Sequence, residues 1–350
     1  MRAYLKGLMA AAALAALAAP AALAQDGSAA LMADLKAHVA AAHQAAGKDF
    51  GWQADMLCLN ATYGGDVIGS FYAGKRMSDA DEDYEPVQVF DGVYYVGLRE
   101  IGAYAIKTSA GVVLVDSLLP GQTETLLIPH LKKAGIDPAQ VKYVIVTHAH
   151  PDHMGGAKYF QDHYKSKVVL TAPDWDMAEK AGGTGDNAPP RRDQVVADGD
   201  KITLGDRTFT ILFTPGHTPG ALSVLMAVKD KGVAHTALLF GGAGWGLAAM
   251  PMPMRPLYTN SLNHLETVAA ANHVDVALEG HPFLSNSLLR MSQIRERKPG
   301  APNALVIGED VYKRYISVFK ECHAASTDRY RLLVEKFGAD TKKWPAQFVD

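Results

Sequence analysis

The sequence predicts a mixed α/β fold: one domain behind an N-terminal extension. Three observations carry this. Apolar strand-like runs and amphipathic helical stretches alternate through the chain, and no linker separates them into blocks. The 350 residues suffice for one large domain or two small ones, so the unbroken alternation favours one. Three of the apolar runs end in Gly- or Pro-rich turns that carry histidine, which places similar features at similar points of a sheet.

Taken in order, residues 30–46 set Leu31, Leu35, Val39 and Ala42 at helical spacing and predict an N-terminal helix. Residues 47–86 contain Gly, Asp and Tyr without clear periodicity; they predict a loop-rich extension over the core, close to the mouth of a site. Residues 87–90, 93–96, 103–106 and 112–115 predict successive strands, and 123–134 an amphipathic helix. Residues 141–146 read as a buried strand, 155–164 as a helix, 167–171 as a strand and 174–181 as a short helix. Residues 182–192 are a Gly/Pro-rich loop. Strands are predicted at 202–204, 209–213, 222–228, 236–240 and 274–278. A helix is predicted at 260–271 and another at 309–321, where Val311, Tyr315, Val318, Phe319 and Cys322 share a face.

His148, His150, Asp152 and His153 fall within six positions, directly after the strand at 141–146. Imidazole and carboxylate are the ligands that a borderline cation such as zinc takes in catalytic sites. Clustering so many ionisable groups is costly unless something binds them. His217 lies in Thr-Pro-Gly-His-Thr-Pro-Gly after the strand at 209–213, and His281 in Glu-Gly-His-Pro after 274–278. One such histidine is more often structural. Three strand-end sites in one chain argue for a shared metal centre.

From about Val87 to about His323 the chain resembles the metallo-β-lactamase superfamily. His-x-His-x-Asp-His at 148–153 carries the resemblance, with Tyr95-Val96-Gly97, the run from Gly111 to Asp116, and Asp198-Gly199-Asp200 leading to Leu204-Gly205 as further matches. The resemblance implies a four-layer αβ/βα sandwich with metals at one edge. It implies two zinc ions per chain, the first held by His148, His150 and His217, the second by Asp152, His153 and His281, each with a position open to solvent. It implies a hydrolase in which a metal-bound hydroxide attacks a carbonyl, with Asp152 as the catalytic residue that orients the nucleophile and relays a proton. Asp116, at a strand end, has two readings: acceptor for a ligand imidazole N–H, or cap of its own turn. Thr147 and Thr218 could serve the same acceptor role.

Within the superfamily the chain is most similar to the third subclass of class B β-lactamases, whose ions are bound by His and Asp only. No cysteine stands among the ligands, and His281-Pro282 matches. Residues 239–245 lack the bridging Asp of glyoxalase-type hydrolases, many lactonases and phosphodiesterases. One departure is that Gly, Ala and Trp occupy 241–245, where that subclass usually has Ser or Thr hydroxyls for the β-lactam carboxylate. Trp245 and residues 250–254 read as an apolar substrate-pocket wall or as ordinary core. Arg191, Arg192 and Arg255 are candidate carboxylate binders, although a surface role is the better reading of each. The leading expectation is an exported dizinc hydrolase acting on a cyclic amide. The alternatives are a same-fold hydrolase of a lactone or other ester and, in another class, a zinc-binding protein without turnover. The six-ligand set with its Asp argues against the last.

The formal charge of −3 suggests no nucleic acid or other polyanion partner, leaving a small-molecule substrate; oligomeric state is open. Arg2 and Lys6 precede a short apolar core at 8–19 and a small-x-small site at Ala22-Leu23-Ala24, which predicts a signal peptide over 1–24. Its removal takes away two positive charges, shifts the net charge from −3 to −5 and implies a periplasmic or secreted protein with no membrane association. The remaining divisions are 25–86 for the extension and 87–350 for the catalytic domain with its C-terminal helix. Cys58 and Cys322 are the only cysteines; an oxidising compartment permits a bridge between them, and two free buried thiols are equally open. The eight histidines outside the motifs are expected to be structural or superficial.

Overall fold

The computed structural model describes residues 27–62, 83–243, 250–340 and 344. Residues 1–24, where a signal peptide is expected, and Trp245 lie outside that set. Strands β1 (Val87–Phe90), β2 (Val93–Tyr95), β3 (Tyr104–Thr108), β4 (Gly111–Val115), β5 (Val141–Ile145), β6 (Lys167–Thr171) and β7 (Gln194–Val196) form one sheet in sequence order. It is antiparallel from β1 to β4 and parallel from β4 to β7. A second sheet runs β12-β11-β10-β9-β8, built from β8 (Lys201–Leu204), β9 (Arg207–Phe213), β10 (Leu222–Asp230), β11 (Val233–Phe240) and β12 (Val276–Glu279).

Both sheets are buried on both faces, which is why their strands read as nearly continuous apolar runs. The period of two divides each strand between two cores. On β4, Val113 and Val115 pack between the sheets, while Val112 and Leu114 meet helices. On β11, Ala237 and Leu239 face the inter-sheet core, and Leu238 and Phe240 face away from it. Leu127, Leu131, Phe160 and Trp175 cover the first sheet from the helices at 122–133, Ala157–Tyr164 and Ala172–Ala181. Ala42, Ala54, Leu262 and Phe319 cover the second, from the helices at 27–46, Gly51–Thr62, Arg255–Ala271 and Glu309–Phe337. The order helix, sheet, sheet, helix is the four-layer sandwich the sequence implies. Among the described residues no helix is long and apolar enough to cross a membrane.

The N-terminal extension differs from expectation. Gly51–Thr62 is a helix, not loop. Its Ala54, Leu57 and Cys58 stripe, with Phe50 just before it, lies against the C-terminal helix, so tertiary packing outweighs the Gly and Asp around it. The C-terminal helix itself continues to Phe337, well past the predicted end at 321, because Ala325 and Leu332 find Leu35 and Val39 of the first helix as partners. The helix at 255–271 begins five residues earlier than expected, with Pro256 in its first turn, where a missing N–H costs nothing. The edge strand β7 and the helix Ser287–Arg295 were not predicted.

Cys58 and Cys322 form a disulfide between two helices, 264 residues apart in sequence and 4.6 Å apart at Cα. Phe50 packs on Tyr315 with ring centroids 5.5 Å apart, and Arg314 donates to the carbonyls of Ala45 and Ala46 beside the bridge. A cross-link closing so long a loop restricts the unfolded chain strongly. Replacing both cysteines by serine is therefore expected to lower stability by about 2–4 kcal/mol. A lower denaturant midpoint in the double variant, with its circular dichroism unchanged, is the result to look for; an unchanged midpoint in oxidised protein would contradict it.

Candidate metal centre

Loops following β4, β5, β9 and β12 converge at one edge of the sandwich. The loop after β5 carries His148 and His150, the latter in extended backbone, then a single helical turn, Pro151–Met154, that turns Asp152 and His153 toward them. His217 sits between β9 and β10, and His281 follows β12. Gly216 is required beside His217: its φ is +139°, and a Cβ there would stand 2.5 Å from the Tyr258 Cβ. Within each of two groups, His148/His150/His217 and Asp152/His153/His281, the potential ligand atoms lie within 4.8 Å of one another.

In the first group the three rings stand edge to face, with centroids 4.6–4.8 Å apart. The Thr147 hydroxyl donates to Asp116 Oδ2 at 2.9 Å, so its oxygen is free to accept from His148 Nδ1, 3.1 Å away. That assignment leaves His148 Nε2 as an acceptor, and it is buried without a hydrogen-bond partner among the described residues. A buried orphan acceptor is expensive unless a cation meets it. Burial, then the neighbouring imidazoles, holds His148 well below its ordinary pKa, lowers His150, and brings His217 down to about 3. Three uncharged imidazoles presenting lone pairs are what a three-histidine zinc site requires. The donor set therefore fits the metal.

In the second group both imidazoles are oriented by acceptors at Nδ1. His153 Nδ1 donates to Asp116 Oδ2 at 2.8 Å, and His281 Nδ1 donates to the Glu100 carbonyl at 2.8 Å. Their Nε2 atoms are consequently turned inward, 3.3 Å apart, and lie 3.3 and 3.7 Å from Asp152 Oδ2. Burial lowers His281 to about 4. Burial also disfavours charge on His153, but Asp152 and Asp116 outweigh it and raise the group to about 10. Burial alone would raise the Asp152 carboxyl; His153 above all holds it well below the usual range instead. A cation at these Nε2 atoms competes with the His153 proton, so binding there releases one.

Asp116 thus contacts both groups, directly through His153 and by way of Thr147 toward His148. It also accepts from the Thr147 backbone N–H at 2.7 Å, a bond that ties it to the loop after β5 and not to its own turn. The Thr218 hydroxyl does not reach a ligand imidazole; it donates to Asp174. Arg191 and Arg192 are engaged by Asp162, Asp176 and Glu179 on the surface. Arg255 corrects the surface reading: it is 1 % exposed, donates to Ser326 and Thr327, and lies over the Tyr330 ring. Among the other histidines, His130 and His323 are buried, and His130 is held by Val96 and Asp83.

Two buried carboxylates escaped the sequence reading. Asp174 ties the loops of the first group together. Glu279, at the end of β12, accepts from Ser285, Ser287 and Tyr315, and burial lifts it to about 7. The only signal for Glu279 was a charged residue closing an otherwise apolar strand.

The sequence profile of the metallo-beta-lactamase superfamily matches residues 97–281, which contain all six candidate ligands. Among solved structures, the chain is similar to BJP-1, a subclass B3 metallo-beta-lactamase of Bradyrhizobium japonicum: 30 % identity, TM-score 0.59, covering 68 % of this chain and 92 % of that one. The FEZ-1 metallo-beta-lactamase from Legionella gormanii shares the fold, with 23 % identity and a TM-score of 0.59 over 75 % of this chain and 99 % of that one. Among curated relatives, the N-acyl homoserine lactonase AttM of Azorhizobium caulinodans is 34 % identical over 113 residues, 30 % of this chain and 43 % of that protein. A hydroxyacylglutathione hydrolase of Mesorhizobium japonicum is 28 % identical over 182 residues, 50 % of this chain and 64 % of that protein. The matched region thus spans less than half the length of the first of these curated relatives and less than two thirds of the second.

Proposed function

The chain belongs to the metallo-β-lactamase superfamily, and from that premise we propose that it is a dizinc hydrolase that opens a cyclic amide. The observation that carries this is the pairing of two three-ligand groups side by side, with the His148 and His153 rings 4.0 Å apart. His148, His150 and His217 would hold one zinc; Asp152, His153 and His281 would hold the other. Zinc bound there would supply Lewis acidity toward water and toward a carbonyl oxygen. The chain's own part is to orient these ligands through Asp116, Thr147 and the Glu100 carbonyl, and to offer Asp152 Oδ2 as acceptor for the proton of the attacking water. Similarity to a subclass B3 β-lactamase across 92 % of its length supports the cyclic amide.

A lactone is the second reading. It is favoured by the local 34 % identity to AttM and by Gly241-Gly242-Ala243, which offer no side-chain hydroxyl to a β-lactam carboxylate. Export is part of the proposal. It is supported by the basic and apolar segments of residues 1–24 and by the Cys58–Cys322 bridge, which persists in oxidising compartments.

Purified protein is expected to carry about two zinc ions per chain, the number a two-metal site requires. Chelation should abolish turnover and lower the melting temperature, since a ligand of the native state alone stabilises it. Assays on nitrocefin and imipenem, run beside a panel of acyl homoserine lactones, separate the readings. Turnover of lactones alone would move the assignment to the second, and two bound zinc ions without any turnover would overturn both.

A further inference from the structure

We propose that Asp174 is a positioning residue that holds the two loops of the three-histidine group in register, and so sets the zinc affinity of that group alone. The proposal rests on the metal-centre reading above but concerns a residue outside both ligand sets.

Asp174 lies in the first turn of the helix Ala172–Ala181 and is fully buried. Its Oδ2 accepts from the Ala149 backbone N–H at 2.8 Å and from the Thr218 hydroxyl at 2.8 Å. Its Oδ1 accepts from the Gly220 backbone N–H at 2.7 Å. Ala149 is the residue between His148 and His150, and Thr218 directly follows His217. One carboxylate therefore spans the β5 loop and the β9–β10 loop at the points where they deliver all three imidazoles. The seat is built for close approach: the Thr171 hydroxyl donates to the Gly220 carbonyl at 2.6 Å, and a Cβ on Gly220 would stand 2.7 Å from Asp174 Oδ1.

The second group has no such tie to Asp174. Its imidazoles are oriented by Asp116 and by the Glu100 carbonyl. Loss of the Asp174 contacts should therefore be felt selectively. Asp174→Asn keeps the shape but has one acceptor oxygen, so its amide nitrogen must face an N–H donor of one of the loops. Thr218→Val removes one donor and leaves the carboxylate with both amide bonds.

The test is competitive chelator titration of zinc into wild type, Asp174→Asn and Thr218→Val, with His217→Ala and His281→Ala as references that each impair one group. Circular dichroism checks folding. Asp174→Asn is expected to lose about 10–100-fold in affinity at the three-histidine group, the scale seen when a partner of a ligand is removed, with the other ion held as in wild type. Thr218→Val should show a smaller loss at the same group. The double variant should fall short of the sum, because both changes break one contact. Folded Asp174→Asn holding both ions with wild-type affinity overturns the proposal, and so does an equal loss at both groups. Thr218→Val decides it alone if Asp174→Asn does not fold: wild-type affinity there overturns it. Wild type that takes up no zinc overturns the metal-centre reading and this proposal together, an outcome recognisable without any variant.

Discussion

Asp152→Ala is expected to reduce turnover by about 10²-fold or more while leaving the fold in place, the loss typical of a removed acid–base group. The side chain stands in a one-turn helix at the rim of the sandwich and is 28 % exposed, so little packing is lost with it. What is lost is chemical. Its Oδ2 faces the Nε2 atoms of both His153 and His281, so it contributes the one negative charge among the second group of ligands. The pull of His153 keeps it ionised through the neutral range, ready to hold a cation and to accept a proton. Asp152→Asn retains the shape and one weak oxygen donor but neither the charge nor the basicity, so it should fail almost as completely. Turnover of whichever substrate wild type accepts, with zinc content and circular dichroism measured in parallel, checks this. Near wild-type turnover by Asp152→Ala would mean that the second group takes no part in the reaction.

The six candidate ligands were legible because ionisable residues stood where the pattern demanded apolar or turn residues: directly after runs such as 141–145 and 209–213. The central strands were legible because burial on both faces makes them largely apolar, as in β4 and β12. Where only tertiary contact decides, the sequence was mute. Nothing local announces that Ala54, Leu57 and Cys58 form a helix stripe, since the C-terminal helix that completes it lies more than 260 residues away, as the 264-residue span of the disulfide shows. β7 is a three-residue edge strand with Val195 exposed, too short to show a period. Asp174 reads as an ordinary acidic residue in a first helical turn. Its importance comes from backbone N–H groups 25 and 46 positions away, which carry no side-chain signature.

Asp116 is where such orientation should have its largest effect, and the comparison of two substitutions separates its roles. The residue is 1 % exposed and has φ +60°, a left-handed conformation that Asp and Asn tolerate better than other side chains. Asp116→Ala strands three buried donors, the Thr147 amide, the Thr147 hydroxyl and His153 Nδ1–H, and adds backbone strain. A loss of about 3 kcal/mol or more is expected, as for other broken buried networks, with a correspondingly lower melting temperature. Asp116→Asn is the sharper experiment. Its oxygen can still accept from the Thr147 amide, and its size suits the turn, so the fold should survive. Its NH₂ then faces the Thr147 hydroxyl, which must accept where it donated, and His153 Nδ1, which must likewise become an acceptor, so the ring proton moves to Nε2, the atom that faces Asp152 and His281. The same side chain that fixed the ring for a cation now fixes it against one. Zinc affinity at the second group should fall by about 10–100-fold with little change in the melting temperature of the zinc-free protein, and nitrogen-15 spectra of His153 should report the exchanged tautomer. A folded Asp116→Asn variant binding its second zinc with wild-type affinity would show that His153 does not depend on Asp116 for the nitrogen it presents.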